Sequence, residues 1–133
     1  MAVNYSHSDF KRYGPDRAQQ NADTIALVVN PVKSDTFAAF QGKIIAQDTL
    51  ASGDWNYAPD GEDLQVTING KSGIDPSGTA ADTDDIAVAV FDSVGETVYL
   101  VQDATDRNIT NETGDTLNIP ALVFYIREVT PVV

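Results

Sequence analysis

Short apolar segments with a period of two residues run through most of this chain, and they limit the folds available to it. In "LQVTI", Leu64, Val66 and Ile68 alternate with polar residues, and "TIALVV" (24–29) places aliphatic residues at positions 25, 27 and 29, on one face. Successive side chains of a β-strand point to opposite faces, so this alternation predicts strands with one buried face. The pattern favours an all-β fold.

Two further segments predict a hairpin in the middle of a sheet. "IAVAVF" (86–91) is apolar at every position, which is typical of a strand that is buried on both faces. The turn residues "SVGE" (93–96) separate it from the alternating "TVYLV" (97–101). Because the connection is short and contains Gly95, we expect these two strands to pair as a hairpin.

The region near residue 120 predicts two more strands. "TLNI" (116–119) alternates, and Pro120 ends that strand because proline cannot donate a hydrogen bond to a neighbouring strand. In "ALVFYIREV" (121–129), one face carries Leu122, Phe124 and Ile126. We expect Phe124 to be a buried anchor of the core.

Other segments are less regular. The apolar spacing of "FAAFQGKIIA" (37–46) fits a helix about as well as a strand, and we interpret it as a strand. The polar stretches 48–63 and 69–85 are rich in Gly, Pro, Asp and Ser and are interpreted as long loops. Trp55 and Tyr57 in the first stretch either contact a partner or pack against their own domain.

These elements predict a small antiparallel β-sandwich or partly open barrel over residues 23–133, preceded by an extended N-terminal arm over residues 1–22. The arm has no aliphatic periodicity, although a short helical turn after Pro15 is an open alternative. Aromatic and arginine side chains dominate interface energies. We therefore predict that the arm binds a partner, the alternative being that it folds back onto its own domain. Its candidate contact residues are Tyr5, Phe10, Lys11, Arg12, Tyr13 and Arg17.

Charge and composition narrow the function further. The chain has 8 Lys and Arg against 20 Asp and Glu, a formal net charge of -12, which disfavours binding to nucleic acid phosphates. Residues 1–33 contain four basic and three acidic groups, so the rest of the chain carries -13. There is no cysteine and no apolar run near the roughly eighteen residues of a membrane span. We expect a protein made in the cytoplasm that contacts no membrane.

The residue types needed for catalysis are sparse. The only histidine is His7, in the arm, and neither a phosphate-binding loop nor a dinucleotide fingerprint occurs. We therefore predict no enzymatic activity, no cofactor and no metal site. Acidic stretches around Asp60 and around Asp84 leave calcium binding as an alternative, since Ca²⁺ prefers six to eight oxygen ligands. Those carboxylates belong to Asp60, Glu62, Asp63, Asp82, Asp84 and Asp85.

The segments "IAVAVFDSVGETVYLVQD" (86–103) and "TNETGDTLNIPALVF" (110–124), together with the polar aromatic arm, resemble the head decoration, or cement, proteins of tailed bacteriophages. This resemblance implies a β-domain on the outer surface of the capsid and an N-terminal segment that engages the shell. It also implies the major capsid protein as partner and a homo-oligomer, most often a trimer, in the virion.

Two other classes of protein stay open. A carbohydrate-binding or adhesive β-sandwich would use Trp55 and Tyr57 to stack on a sugar ring. A structural component of a phage tail or neck would share the acidic β-domain and the arm.

Overall fold

The computed structural model describes residues 5–6, 15–60, 63–78, 80, 84–104 and 116–126. These residues form mainly β-strands, with two short α-helices and one 3-10 helix. The helices are α1 (Pro15–Asn21), α2 (Phe37–Gln41) and the 3-10 helix (Ser52–Asp54). The strands are β1 (Tyr5–Ser6), β2 (Thr24–Val29), β3 (Ile44–Thr49), β4 (Trp55–Asp60), β5 (Asp63–Ile68), β6 (Lys71–Ile74), β7 (Ile86–Asp92), β8 (Thr97–Asp103), β9 (Leu117–Ile119) and β10 (Leu122–Ile126).

The strands form three antiparallel sheets. Sheet A has five strands in the order β1-β8-β7-β2-β3, sheet B has three in the order β10-β5-β4, and sheet C pairs β6 with β9. Each sheet keeps two edges, so the described strands do not close into a barrel. The predicted all-β class with an antiparallel, sandwich-like arrangement is confirmed.

The main core lies where strands of the three sheets meet. Its fully buried side chains come from all three sheets, among them Leu27 on β2, Ile68 on β5 and Ile119 on β9. Sheet C contacts sheet A through β2 and β3, and the N–H of Ser77 donates to the carbonyl of Ile45 at 2.7 Å. Burial of this apolar surface is the dominant stabilising term for the sandwich.

Strand β7 is buried on both faces, as its apolar run predicted. Val88 and Val90 face the main core, while Ala89 and Phe91 face a second cluster on the opposite side of sheet A. The hairpin to β8 is also confirmed, with Asp92 opposite Thr97 and a turn over residues 93–96. Sheet A therefore lies between two apolar clusters, with the main core on one face and the second cluster on the other.

The outer layer is α2, and the predicted strand over residues 37–46 is wrong in its first half. The Thr36 side-chain oxygen accepts a hydrogen bond from the N–H of Ala39 at 3.1 Å and so begins the helix. Phe37 and Phe40 are three residues apart, and both rings pack against Phe91, with centroid distances of 5.8 and 5.3 Å. Helical spacing brings both rings to one face, and the strand starts only at Ile44, after Gly42.

Both stretches predicted as long loops contain strands. Residues 48–63 include the 3-10 helix and β4, and residues 69–85 include β6. The loop prediction is wrong there because β4 is an edge strand whose "WNYAPD" sequence has few aliphatic residues, and β6 is only four residues long. Propensity is a weak guide where pairing with a neighbouring strand decides the structure.

Part of the predicted arm belongs to the packed structure. Tyr5 and Ser6 pair with Val101 and Leu100 at the edge of sheet A. Residues 15–21 form the helix α1, so the extended conformation predicted for them is wrong and the helical alternative after Pro15 is the one observed. Ala18 of this helix is 0% exposed and belongs to the main core. Alanines four residues apart (18 and 22) supply a small apolar stripe that a search for large aliphatic side chains overlooks. The domain boundary after residue 22 stays a prediction.

Strands β9 and β10 lie where the sequence predicts them, separated by Pro120. Leu117 and Ile119 are buried and Asn118 is exposed, which confirms the alternation. The predicted anchor Phe124, however, is only partly buried, whereas Leu122 is 1% exposed. Leu122 therefore anchors β10, while Phe124 packs against the main core with part of its side chain exposed. No helix among the described residues is long and apolar enough to cross a membrane.

Candidate functional site

The predicted contact residues of the arm fall largely outside the described part of the chain. Phe10, Lys11, Arg12 and Tyr13 lie outside it, and so does His7. The backbone of Tyr5 lies in β1. Arg17 lies in α1, where only the backbone is described.

The predicted aromatic pair is divided between core and surface. Trp55 is 4% exposed and packs in the main core, while Tyr57 is 38% exposed. The interpretation of Trp55 as a surface contact is wrong, because Trp55 is the first residue of β4 and lies opposite the fully buried Ile68. The indole Nε1 has no hydrogen-bond partner in the described structure. Trp55 instead packs against its own domain, which was the other alternative.

A chain of hydrogen bonds fastens α1 to this part of the domain. The Tyr57 hydroxyl donates to Gln19 Oε1 at 2.7 Å, and Gln19 Nε2 donates to the carbonyl of Ser52 at 3.0 Å. Together with the burial of Ala18, these contacts hold α1 beside β4. The N-terminal segment therefore joins the domain next to Tyr57.

Sheet B carries an apolar face that becomes progressively more exposed along its strands. The row nearest the core, Trp55–Ile68–Leu122, is buried. The next row contains Tyr57, Val66 and Phe124, of which only Val66 is fully buried. The last row contains Pro59, Leu64 and Ile126, where Pro59 is exposed, Leu64 is half-buried and Ile126 is 36% exposed.

We call the exposed part of this surface the end face, and it consists of Tyr57, Pro59, Leu64, Phe124 and Ile126. Directly opposed residues of antiparallel strands point to the same face, so these five side chains share the side of sheet B that farther along covers the core. The period of β10 predicted that Phe124 and Ile126 lie together. Their neighbours on β4 and β5 had no signal in the sequence, because the register between strands was unknown.

The end face terminates at an acidic turn. Strands β4 and β5 pair up to Asp60 and Asp63, so Gly61 and Glu62 connect them. The backbones of Asp60 and Asp63 therefore lie at one end of this apolar surface. Side-chain positions at this turn lie outside the described residues.

The described acidic side chains mostly serve the fold. Asp84 Oδ1 accepts from Asn30 Nδ2 at 3.0 Å, and the N–H of Asp85 donates to Asn30 Oδ1 at 2.8 Å. Asp82 is outside the described part. Within that part, no three His, Asp or Glu side chains are close enough together to hold a metal ion.

Two lysines are engaged by carboxylates within the domain. Lys43 Nζ lies 2.7 Å from Asp35 Oδ2, and Lys71 Nζ lies 3.0 Å from Asp54 Oδ2. The hydrogen bond from Lys43 is the main reason that the pKa of Asp35 lies below its ordinary value. Burial raises the pKa of Asp54, but hydrogen bonds from the Ala51 N–H and from Lys71 lower it by more. The Lys43–Asp35 pair connects the segments on either side of α2, and the Lys71–Asp54 pair connects β6 to the 3-10 helix.

A carboxylate network also fixes the β7–β8 hairpin to the start of β2. Asp23 accepts hydrogen bonds from the Ser93 N–H at 2.9 Å, from Ser93 Oγ at 2.6 Å and from Thr24 Oγ1 at 2.8 Å. Ser93 has a carboxylate partner but no histidine base among the described residues. The arrangement is suited to holding a turn rather than to activating a nucleophile.

Comparisons of the chain with protein-family models, with curated proteins and with solved structures found no match.

Proposed function

We propose that the protein is a structural virion protein that binds the outside of a phage capsid and stabilises the shell, without catalysis. Its partner in this proposal is the major capsid protein. The resemblance of residues 86–103 and 110–124 to head decoration proteins suggests this function, and the antiparallel β-domain is compatible with it.

The observation that carries the proposal is the attachment of α1 to the domain. Ala18 is buried in the main core, and Gln19 is hydrogen-bonded to both Tyr57 and Ser52. A segment that is to hold two bodies together must be fixed at one end. The helix provides that fixed end, and residues 7–14, between β1 and α1, carry two aromatic residues and two cations.

The distribution of charge also supports the N-terminal segment as the part of the chain that binds the partner. Residues 1–33 have a small net positive charge, and the remaining chain carries -13. Two of the four lysines and arginines in that remainder, Lys43 and Lys71, pair with aspartates of the domain. In this proposal, Lys11, Arg12 and Arg17 of the N-terminal segment pair with carboxylates of the shell.

A homo-oligomer around a symmetry axis of the shell, with a trimer favoured, is part of the proposal. The trimer is proposed because of the resemblance to head decoration proteins. The number of copies bound per shell subunit tests the oligomeric state, because a trimer at each threefold position gives a fixed ratio.

A carbohydrate-binding module is less well supported, because Trp55 is 4% exposed and offers no stacking surface. A tail or neck component would share the acidic β-domain. Its position in the virion distinguishes it from a decoration protein, and immunolabelling of intact particles by electron microscopy would locate it.

Co-sedimentation with purified capsids of the encoding phage tests the proposal. We expect the wild-type protein to bind at a saturable ratio to the shell subunit and to raise the temperature at which the shells disrupt. The double variant Lys11→Gln/Arg12→Gln should bind more weakly, most clearly at low salt, where screening is least.

The control is Lys33→Gln, which removes an exposed cation outside the N-terminal segment. It should bind as the wild type does. Absence of wild-type binding would overturn the proposed function, and equal binding by all variants would remove the N-terminal segment from it.

A further inference from the structure

The turn between β5 and β6 contains a chemically reactive sequence. Asn69 is the one asparagine of the chain that is followed by glycine, Gly70. In an Asn-Gly sequence the backbone nitrogen of the glycine can attack the Cγ atom of the asparagine side chain, because the glycine has no Cβ to obstruct the approach. The Asn69 side chain is exposed, so water reaches it.

The reaction is a deamidation. The Gly70 nitrogen forms a bond to Cγ of Asn69 and loses its proton, while the side-chain amide leaves as ammonia and a cyclic succinimide remains. Water then adds to one of the ring carbonyls and opens the ring. The product is aspartate or isoaspartate at position 69, depending on which carbonyl is attacked. Water is thus the co-reactant, and one carboxylate replaces one amide.

Hydrogen bonds hold Asn69 at both its backbone and its side chain. The Asn69 N–H donates to the Asp54 carbonyl at 2.9 Å, and Asn69 Oδ1 accepts from Asn56 Nδ2 at 2.9 Å. Ring closure requires the side chain and the backbone to move into a new geometry. Hydrogen bonds that fix both of them oppose that movement.

The backbone on the glycine side of the turn is also packed closely. A Cβ added to Gly70 would overlap the backbone of Ile119 and Ala121. The next residue, Lys71, pairs with Ile119 in sheet C, and its Nζ lies 3.0 Å from Asp54 Oδ2. A change of shape in the turn therefore requires β6 to separate locally from β9, which costs free energy in a folded domain.

We propose that Asn69–Gly70 is a deamidation site that the native fold protects, and that it reacts when the turn opens. The reaction is spontaneous, with water as the substrate. It converts a local opening of sheet C into a permanent covalent change.

The product opposes closure of the turn. Burial raises the pKa of Asp54, and the Asn69 side chain is one of the hydrogen-bond donors that lower it. Deamidation replaces that donor with a second carboxylate, which repels the first and competes with it for Lys71. Isoaspartate additionally inserts a methylene group into the main chain where Gly70 packs on β9.

Mass spectrometry of the full-length protein tests the proposal. The wild type is incubated in mildly alkaline buffer with and without denaturing urea and is then digested after its lysines. Fragmentation of the 44–71 peptide assigns the conversion to position 69 and distinguishes aspartate from isoaspartate. We expect conversion to be at least about tenfold slower in the native protein than in urea, because opening of the turn limits the native rate. Asn69→Gln should not convert at this position, since the larger ring forms far less readily.

The hydrogen bond from Asn56 can be removed separately. Asn56→Ala should raise the native rate about threefold or more and leave the rate in urea unchanged. Asn56→Thr introduces a residue that favours strands and tests the same bond if Asn56→Ala unfolds the domain. The control Gln47→Ala removes an exposed amide on β3 and should leave both rates unchanged. Thermal unfolding verifies that each variant is folded.

The effect of the product is measured with Asn69→Asp. This variant should unfold at a lower urea concentration than the wild type. Asn118→Asp is the matched control, because it adds the same charge on β9 and keeps an oxygen that accepts from the Gly73 N–H. It should unfold at the wild-type midpoint.

The inference is overturned if position 69 does not convert in urea, or if it converts equally fast in the native protein. Folded Asn56 variants that convert at the native wild-type rate would also overturn it, as would an Asn69→Asp protein as stable as Asn118→Asp. None of these measurements uses a capsid, so their outcome is independent of the function proposed above.

Discussion

The Gln102 side chain on β8 binds the backbone of Val123 on β10 at two points. Gln102 Nε2 donates to the Val123 carbonyl at 2.7 Å, and the Val123 N–H donates to Gln102 Oε1 at 3.4 Å. One amide thus takes the place of a neighbouring strand at the outer edge of sheet B and connects it to sheet A. Gln102→Ala should destabilise the domain by about 1–3 kcal/mol, because two partly buried backbone groups lose their partner.

Urea unfolding followed by circular dichroism measures this loss. Gln47→Ala is the control, because Gln47 is exposed on β3. It should change the free energy of unfolding by less than about 0.5 kcal/mol. Equal effects at the two positions would mean that the Gln102 bridge does not stabilise the fold.

Gly70 should not tolerate a side chain. A Cβ at this position would lie 2.4 Å from the Ile119 carbonyl oxygen and 2.8 Å from the Ala121 nitrogen, and both are backbone atoms that cannot move alone. We expect Gly70→Ala to cost at least about 1–3 kcal/mol, the range for overpacking a well-packed site. Gly53→Ala is the control, since no atom outside its immediate neighbours lies within 4 Å of its added Cβ. A stable Gly70→Ala protein would show that β6 and β9 are not as close as described.

Leu122 and Phe124 should contribute differently to stability. Leu122 is 1% exposed, so Leu122→Ala should cost about 2–5 kcal/mol, the range for truncating a buried leucine. Phe124 is only partly buried, so Phe124→Ala should cost less than the roughly 3 kcal/mol at the lower limit for a buried phenylalanine. Chemical unfolding of the two variants measures both values. The reverse order would place the main core nearer to Phe124.

Stability should decline in acid in part because of Asp23. Burial raises the pKa of this carboxyl, but hydrogen bonds from the Ser93 side chain and N–H and from Thr24 outweigh it, so the pKa lies below 3.8. A carboxyl whose pKa is lowered by folding stabilises the folded state above its unfolded pKa. That contribution is lost as pH falls through the folded value. We expect the Asp23 contribution to be present at pH 7 and to decline from about pH 4 downward.

The acid dependence can be assigned by substitution. Asp23→Asn should give a flatter curve of unfolding free energy against pH below about pH 4, and Ser93→Ala should give an intermediate one because it removes one donor to the carboxylate. Asp35 and Asp54 also have lowered pKa values, so some acid dependence should persist in both variants. An Asp23→Asn curve parallel to that of the wild type would contradict the assignment.

The alternation of apolar residues was sufficient to predict the strands that cover the core. Strands β2, β5, β8 and β9 follow it because each packs aliphatic residues against the main core, and β7 was predicted instead from its continuous apolar run. The alternation failed to predict β4, because its side chains other than Trp55 are polar, small or at the surface. It also failed for α2, because the spacing there fits both a helix and a strand, and aromatic packing against Phe91 favoured the helix. Local periodicity contains no information about which strand or helix a segment will meet.

The end face illustrates the same limit at the candidate site. The spacing of β10 placed Phe124 and Ile126 on one side, but the surface also needs Tyr57, Pro59 and Leu64 from β4 and β5. Residues from these strands become neighbours only through the strand register. Tyr57 was predicted as a contact residue because it is aromatic. Its hydrogen bond to Gln19 depends on the packing of α1, which the alternation pattern did not predict.

The pairing of β5 with β10 has a consequence for biosynthesis. Val66 on β5 lies between Tyr57 and Phe124, and more than fifty residues of sequence separate β5 from β10. While the ribosome has yet to make residue 126, β5 has a hairpin partner on one side and an unpaired edge on the other. Such an edge favours aggregation and recognition by chaperones. Translation products that stop before β10 should therefore be degraded or aggregate, because their second sheet is incomplete.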